Sequence, residues 1–151
     1  MDINRGAPVV AESEIEIDAD PQTVWDVVVD VERWPQWNNE VKSVVLKGGV
    51  QEGSVFRWKT SSGPIVSTFR EVAPPHVVAW TGRAMSIKAI HRWSLERTNG
   101  KTTVKTAESF DGALSRIFRR PLRKTLKKSL DQGLEALKAE VERHPPYAPQ
   151  A

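Results

Sequence analysis

Residues 121–143, PLRKTLKKSLDQGLEALKAEVER, constrain the fold more than any other stretch of the chain. Leu122, Leu126, Leu130, Leu134, Leu137 and Val141 recur at steps of three or four, which is the period of an α-helix and not of a strand. At about 1.5 Å per residue such a helix is roughly 33 Å long. Its single apolar stripe gains ~1.5–3 kcal/mol for each side chain buried, so it needs an extended partner surface. Gly133 lies beside the stripe, at a cost in helix propensity of ~1 kcal/mol relative to alanine. Either a sheet or ligand approaches closely there, or the helix simply tolerates the glycine.

The partner surface is readable upstream. Val9, Ala11, Ser13, Ile15 and Ile17 alternate with Val10, Glu12, Glu14 and Glu16, a first strand with one wet face. Asp20-Pro21 opens a short helix, with Asp as N-cap, Pro at the first helical position, and Val24, Trp25 and Val28 on one side. Asp30 is placed to cap a second short piece, which Pro35 disturbs before Trp37. Strands are then predicted over 41–46, 54–59, 65–72 and 77–81, separated by glycine- and proline-bearing turns at 48–53, 61–64, 74–75 and 82–86. His76, beside Pro74-Pro75, reads as an exposed turn residue.

The last hairpin is the most specific. Asn99-Gly100 between two alternating runs calls for a two-residue type I′ turn that pairs Thr98 with Lys101. Leu95 then faces Val104, Trp93 faces Thr106 and His91 faces Glu108, with Arg92 and Lys105 on the opposite side. A slip of one residue would put Lys105 beside Trp93, so the hydrophobic pattern fixes this register.

The fold class expected is therefore α+β, a meander of seven antiparallel strands that wraps the long helix, with two short helices after the first strand. A chain of 151 residues with 39% hydrophobic content suits one domain. Its ordered core is expected over about 9–143, and the Pro-rich end HPPYAPQA is expected to be disordered. No leader-like apolar run opens the sequence and no uncharged stretch could span a bilayer, so a cytoplasmic protein is expected. With no cysteine, and with His76, His91 and His144 as the only imidazoles, thiolate chemistry is excluded and neither a metal site nor a cofactor is expected.

Charge is unevenly spread. Arg116, Arg119, Arg120, Arg123, Lys124, Lys127 and Lys128 fall within 13 residues that contain no acid, and the rest of the chain has 15 basic against 19 acidic residues. These cations crowd the start of the helix, where the macrodipole disfavours them, so helix energetics do not explain them. They form either a surface for an anionic partner or a solvated face.

Two stretches resemble a known family. IDADPQTVWDVVVDVERWPQWN, with its capped helix and W-P-x-W-N turn, and HRWSLERTNGKTTVKTAESFDG, with its E-x-F-x-G ending, are similar to the START-like (SRPBCC) superfamily. These are the helix-grip proteins grouped as polyketide cyclase/dehydrase and lipid transport proteins. The resemblance covers roughly 9–143 and implies a helix-grip fold with an elongated cavity between sheet and helix. Carried over residue by residue, it implies a cavity lined by Trp37, Phe56, Trp58, Trp80, His91, Trp93 and Glu108, with Leu122, Leu126 and Leu130 from the helix. Six tryptophans beside one tyrosine suit large apolar walls, although about half of them are expected to serve the core alone.

His91 opposite Glu108 is the one constellation with acid/base potential, since a carboxylate beside an imidazole is expected to orient it and raise its pKa. The same pair is also a plain cross-strand contact. Two functions stay open: binding or transport of a hydrophobic small molecule, such as a lipid, isoprenoid or polyketide-like chain, and a cyclase- or aromatase-like reaction using His91 and Glu108. The basic segment would meet an anionic membrane surface in the first case and an acidic carrier protein in the second. It lacks the interleaved aromatics of a nucleic-acid stacking platform, and nucleic acid is not an expected partner.

Overall fold

A computed structural model describes residues 1–143; the predicted tail at 144–151 lies outside them. The elements run β1 (Val9–Ile17), α1 (Pro21–Val29), a 3-10 helix (Val31–Gln36), β2 (Val41–Lys47), β3 (Val55–Thr60), β4 (Gly63–Ala73), β5 (Val77–Ala84), β6 (Ile87–Thr98), β7 (Lys101–Asp111), α2 (Ala113–Ile117) and α3 (Arg119–Arg143). One antiparallel sheet has the order β1-β7-β6-β5-β4-β3-β2. Every step but one is therefore a hairpin, and the exception joins the first strand to the last.

Local chemistry sets these boundaries. The Asp20 carboxylate accepts a hydrogen bond from the Thr23 backbone N–H at 2.8 Å and starts α1. Asp30 makes no such cap, and Pro35 lies inside the 3-10 helix rather than interrupting it. The β6–β7 turn has Asn99 at φ 52 and Gly100 at φ 79, the left-handed conformation of a type I′ turn. The predicted register holds from Thr98–Lys101 to Lys88–Asp111. Gly82 was expected in a turn, yet β5 continues through it to Ala84. Its missing side chain leaves room for Ser67, whose hydroxyl oxygen would lie 3.2 Å from an added Cβ.

Arg70 is an extra residue in β4, inserted between the pairs Phe69–Trp80 and Glu71–Ala79, and a second shift interrupts β2 between Val41 and Ser43. Such bulges add bend and twist, which lets one sheet curl around one helix. On the concave side, Leu134, Leu137 and Val141 of α3 pack with Val24, Trp25 and Val28 of α1 and with Leu95 and Val104 of the last hairpin. Nearer the start of α3, Leu126 and Leu130 rest on Val9 and Ala11 of β1. The helix thus lies against β1 and the α1 end. Across from its middle, the strands β3 to β6 curve away. Among the described residues no helix is long and apolar enough to cross a membrane.

A tryptophan-lined cavity as the candidate functional site

Between α3 and the strands that curve away lies a cavity of about 330 Å³. Trp34 and Trp37 enter it from the 3-10 helix, Trp58 from β3, Trp80 from β5, His91 and Trp93 from β6, Glu108 and Phe110 from β7, and Leu122, Leu126, Leu130 and Gly133 from α3. Five of the six tryptophans line it, and only Trp25 serves the core alone. Of the residues the resemblance implied, Phe56 alone is not on the wall. It is fully buried behind Trp34 and Trp80, at ring-centroid distances of 5.8 and 5.7 Å. Trp34 takes the place expected of it. In a 3-10 helix residues three apart eclipse one another, so the W-P-x-W spacing puts Trp34 and Trp37 on one face.

The polar groups of the wall are few. Trp58 Nε1 donates to Ser67 Oγ at 3.0 Å, and Trp34 Nε1 donates to the Val28 carbonyl at 3.0 Å. Trp93 Nε1 is buried without a hydrogen-bond partner among the described residues. His91 lies between Trp80 and Trp93, with ring centroids at 5.0 and 5.4 Å. Its Nε2 is 2.7 Å from Thr106 Oγ1, and its Nδ1 is 3.5 Å from Glu108 Oε1.

The His91 and Glu108 side chains keep only 12% and 16% of their surface exposed, and this burial decides the charge of the pair. Desolvation pushes the Glu108 carboxyl up to about 8 and the His91 imidazole down to about 3. The expectation that the carboxylate raises the histidine is overturned, because burial removes the negative charge that would have done so. At neutral pH the pair is a protonated acid beside a neutral imidazole. A neutral ring has one donor and one acceptor nitrogen. The tautomer that serves both neighbours has Nε2–H donating to Thr106 and Nδ1 facing the Glu108 carboxyl.

Gly133 is the feature of α3 that shapes the cavity. No atom lies within 4 Å of a Cβ built there, so close approach of the sheet does not explain the glycine. Gly133→Ala should therefore stabilise the protein by about 1 kcal/mol through helix propensity alone, read as a rise in the urea midpoint. A loss of stability would mean that the backbone at this point needs a conformation alanine resists.

The basic segment is only partly free. Arg116 is 3.8 Å from Asp111 and Lys127 is 2.8 Å from Asp131. Among the described residues Arg119, Arg120, Arg123, Lys124 and Lys128 are exposed and have no acidic partner. The stretch also begins earlier than the predicted helix, since α2 and the first two residues of α3, Arg119 and Arg120, precede Pro121. His76 is exposed in its turn, and among the described residues no cluster of three His, Asp or Glu side chains could hold a metal.

A curved antiparallel sheet closed around one long helix, with an apolar cavity between them, is the helix-grip architecture of the START-like superfamily. The chain belongs to the polyketide cyclase / dehydrase and lipid transport family, whose model matches residues 8–142. Among solved structures it resembles a hypothetical protein, jhp0584, from Helicobacter pylori at 14% identity and TM-score 0.81, covering 91% of this chain and 90% of that one. It resembles a START superfamily protein from Mycobacterium smegmatis at 18% identity and TM-score 0.75, covering 90% and 99%. It also resembles the di-domain ARO/CYC BexL at 18% identity and TM-score 0.71, covering 93% of this chain and 52% of that one. At these identities the likeness concerns the fold alone. No curated protein matches the chain by sequence.

Proposed function

We propose that the protein binds a neutral, largely apolar small molecule between the sheet and α3. The observation that carries this reading is the cavity itself, walled by five indoles, with His91 and Glu108 uncharged at neutral pH and its charged side chains, Glu40 and Arg83, confined to the exposed rim. Its volume falls at the small end of the range for ligand pockets, roughly 300–1,000 Å³. An apolar ring system or chain would lie among Trp58, Trp80 and Leu126. A hydroxyl or carbonyl on it would meet the Glu108 carboxyl or the unpartnered Trp93 N–H. A buried carboxylate has no cation to pair with at that depth, and an acidic group would have to stay near Arg83 at the exposed rim.

Titration with the neutral fluorophore N-phenylnaphthylamine tests this reading. Tryptophan emission should be quenched saturably, and the melting temperature should rise as expected for stabilisation by RT ln(1 + [L]/Kd), about 2.7 kcal/mol at a hundredfold excess over Kd. Gly133→Phe, whose ring enters open space, should weaken binding by on the order of tenfold or more while the fold persists. Equal binding by that variant would place the probe elsewhere and remove the support for this site.

One observation favours a second reading, a cyclase-type reaction. A carboxylic acid held near pKa 8 and open to an apolar cavity is placed to give a proton to a carbonyl at neutral pH. His91, pushed down to about 3, is a weak base and would serve to orient Glu108. Under this reading Glu108→Gln keeps ligand binding and loses turnover by on the order of a hundredfold; under the binding reading it changes affinity only modestly.

A further inference from the structure

The rim of the cavity and the basic segment share one end of the molecule, and that end is not only basic. Met85 is 90% exposed, Ile117 70% and Phe118 49%. Large apolar side chains at these exposures project from the surface. Met85 occupies the two-residue turn between β5 and β6 and is also on the cavity wall. Ile117 and Phe118 sit at the junction of α2 and α3. The two sites are fastened together: the Ser86 hydroxyl accepts from the Leu114 backbone N–H, and Gly112, just before α2, lies against the Ser86 carbonyl.

Met85 stands where a turn residue would not be chosen for the turn's sake. Its φ is 55, a left-handed conformation that glycine or asparagine adopts at lower cost. A large exposed apolar side chain at a strained position has a role outside the fold. Around it, Arg116-Ile117-Phe118-Arg119-Arg120 sets two adjacent apolar side chains between cations, and Arg123, Lys124 and Lys128 extend the charge along α3. Lys124 and Lys128 each precede a residue of the cavity wall, Thr125 and Ser129. The acids nearby are Asp111, engaged by Arg116, and Glu40 on the rim.

We infer that this end docks on an anionic lipid bilayer, with Met85, Ile117 and Phe118 entering the headgroup region and Arg119, Arg120, Arg123 and Lys124 holding the acidic phosphates. Interfacial binding needs this combination of basic and apolar side chains. An acidic protein would be held by the cations and would leave the three projecting apolar side chains without a use. Docked in this way, the cavity opens onto the bilayer and an apolar ligand can move between them without crossing water. That last step rests on the ligand-binding reading above; the docking itself does not.

Co-sedimentation with phosphatidylcholine vesicles containing phosphatidylserine, beside pure phosphatidylcholine vesicles, tests the inference. Binding to the anionic vesicles alone is expected, weakening as salt is raised. Replacing Arg119, Arg120, Arg123 and Lys124 together by Gln should lower the affinity by on the order of a hundredfold. Ile117→Ser with Phe118→Ser should lower it by about tenfold at unchanged charge. Met85→Asn should lower vesicle affinity while raising the melting temperature, an opposition that damage to the fold cannot produce. N-phenylnaphthylamine binding, measured on the same samples, separates the two readings: vesicle binding lost with probe binding kept assigns the surface, whereas vesicle binding kept without probe binding supports docking and removes the cavity reading. Docking is overturned by equal binding to neutral and anionic vesicles, by unaltered binding of the Gln variant or of the Ile117/Phe118 variant, or by capture of an acidic protein without vesicle binding.

Discussion

Denaturation across pH should show a stability plateau between about pH 4.5 and 6.5, falling on both sides, and the His91–Glu108 pair is the cause. Glu108 ionises near 4.5 in the unfolded chain and near 8 in the fold, so the native state holds the extra proton in that interval and stability declines as pH rises through it. His91 does the reverse. It protonates near 6.5 unfolded and near 3 folded, so stability declines as pH falls through that window. Where the intervals overlap the slopes cancel. Above 6.5 Glu108 alone of the pair acts; below 4.5 His91 acts, joined by Asp2, Asp20, Asp131 and Glu142, whose carboxyls are held below their ordinary range by hydrogen bonds. Each displacement of roughly three and a half pH units, at ~1.4 kcal/mol per unit, comes to about 5 kcal/mol. Single variants should expose the full slopes. His91→Gln should lose stability steadily from about pH 4.5 to 8, and Glu108→Gln should gain it from about 3 to 6.5. A wild-type profile that stays flat from pH 6.5 to 8 would falsify the neutral state of Glu108.

Gly112→Ala should be among the most damaging single substitutions outside the core. Gly112 has φ 109, and a Cβ there would collide with the Ser86 carbonyl. Backbone strain of ~1–3 kcal/mol adds to the cost of displacing a neighbouring main chain, for a total of roughly 3–5 kcal/mol, or a melting temperature lower by about 10 °C. Gly63→Ala is the control. Its φ is 118, but nothing lies within 4 Å of the added Cβ, so it isolates the strain contribution. Calorimetry giving equal losses for both would show that the contact with Ser86 has no energetic weight.

Features with a strong local signal were legible in the sequence. The Leu/Val stripe of α3 and the Asn99-Gly100 turn each have a period or a geometry that few alternatives satisfy, and together they placed His91 opposite Glu108. Features that depend on how the sheet curves were not legible. Phe56 alternates with Trp58 as a wall residue should, yet Trp34 stands between it and the cavity. The fall in the His91 pKa depends on the depth to which Trp80 and Trp93 bury it, and strand spacing does not contain that depth. α2 has only five residues and no side-chain cap, so neither periodicity nor capping chemistry announces it. The exposed trio Met85, Ile117 and Phe118 is scattered over two segments that come together only in the fold, through the contacts of Ser86 with Gly112 and Leu114.

The strand order has a consequence for how the chain folds. β1 pairs only with β7, from Val9–Phe110 to Ile17–Thr102, and β1 is also the strand on which Leu126 and Leu130 rest. The first strand therefore has no partner until nearly all the others exist. The hairpins β2 to β7 can form in succession from local contacts, but joining the two ends closes a loop almost as long as the domain. Such closure is slow because its entropy is spent before any contact repays it. During synthesis the indoles of the cavity wall stay uncovered until α3 has emerged. The last helix thus completes the binding site and also ends the interval in which the chain is most prone to aggregate.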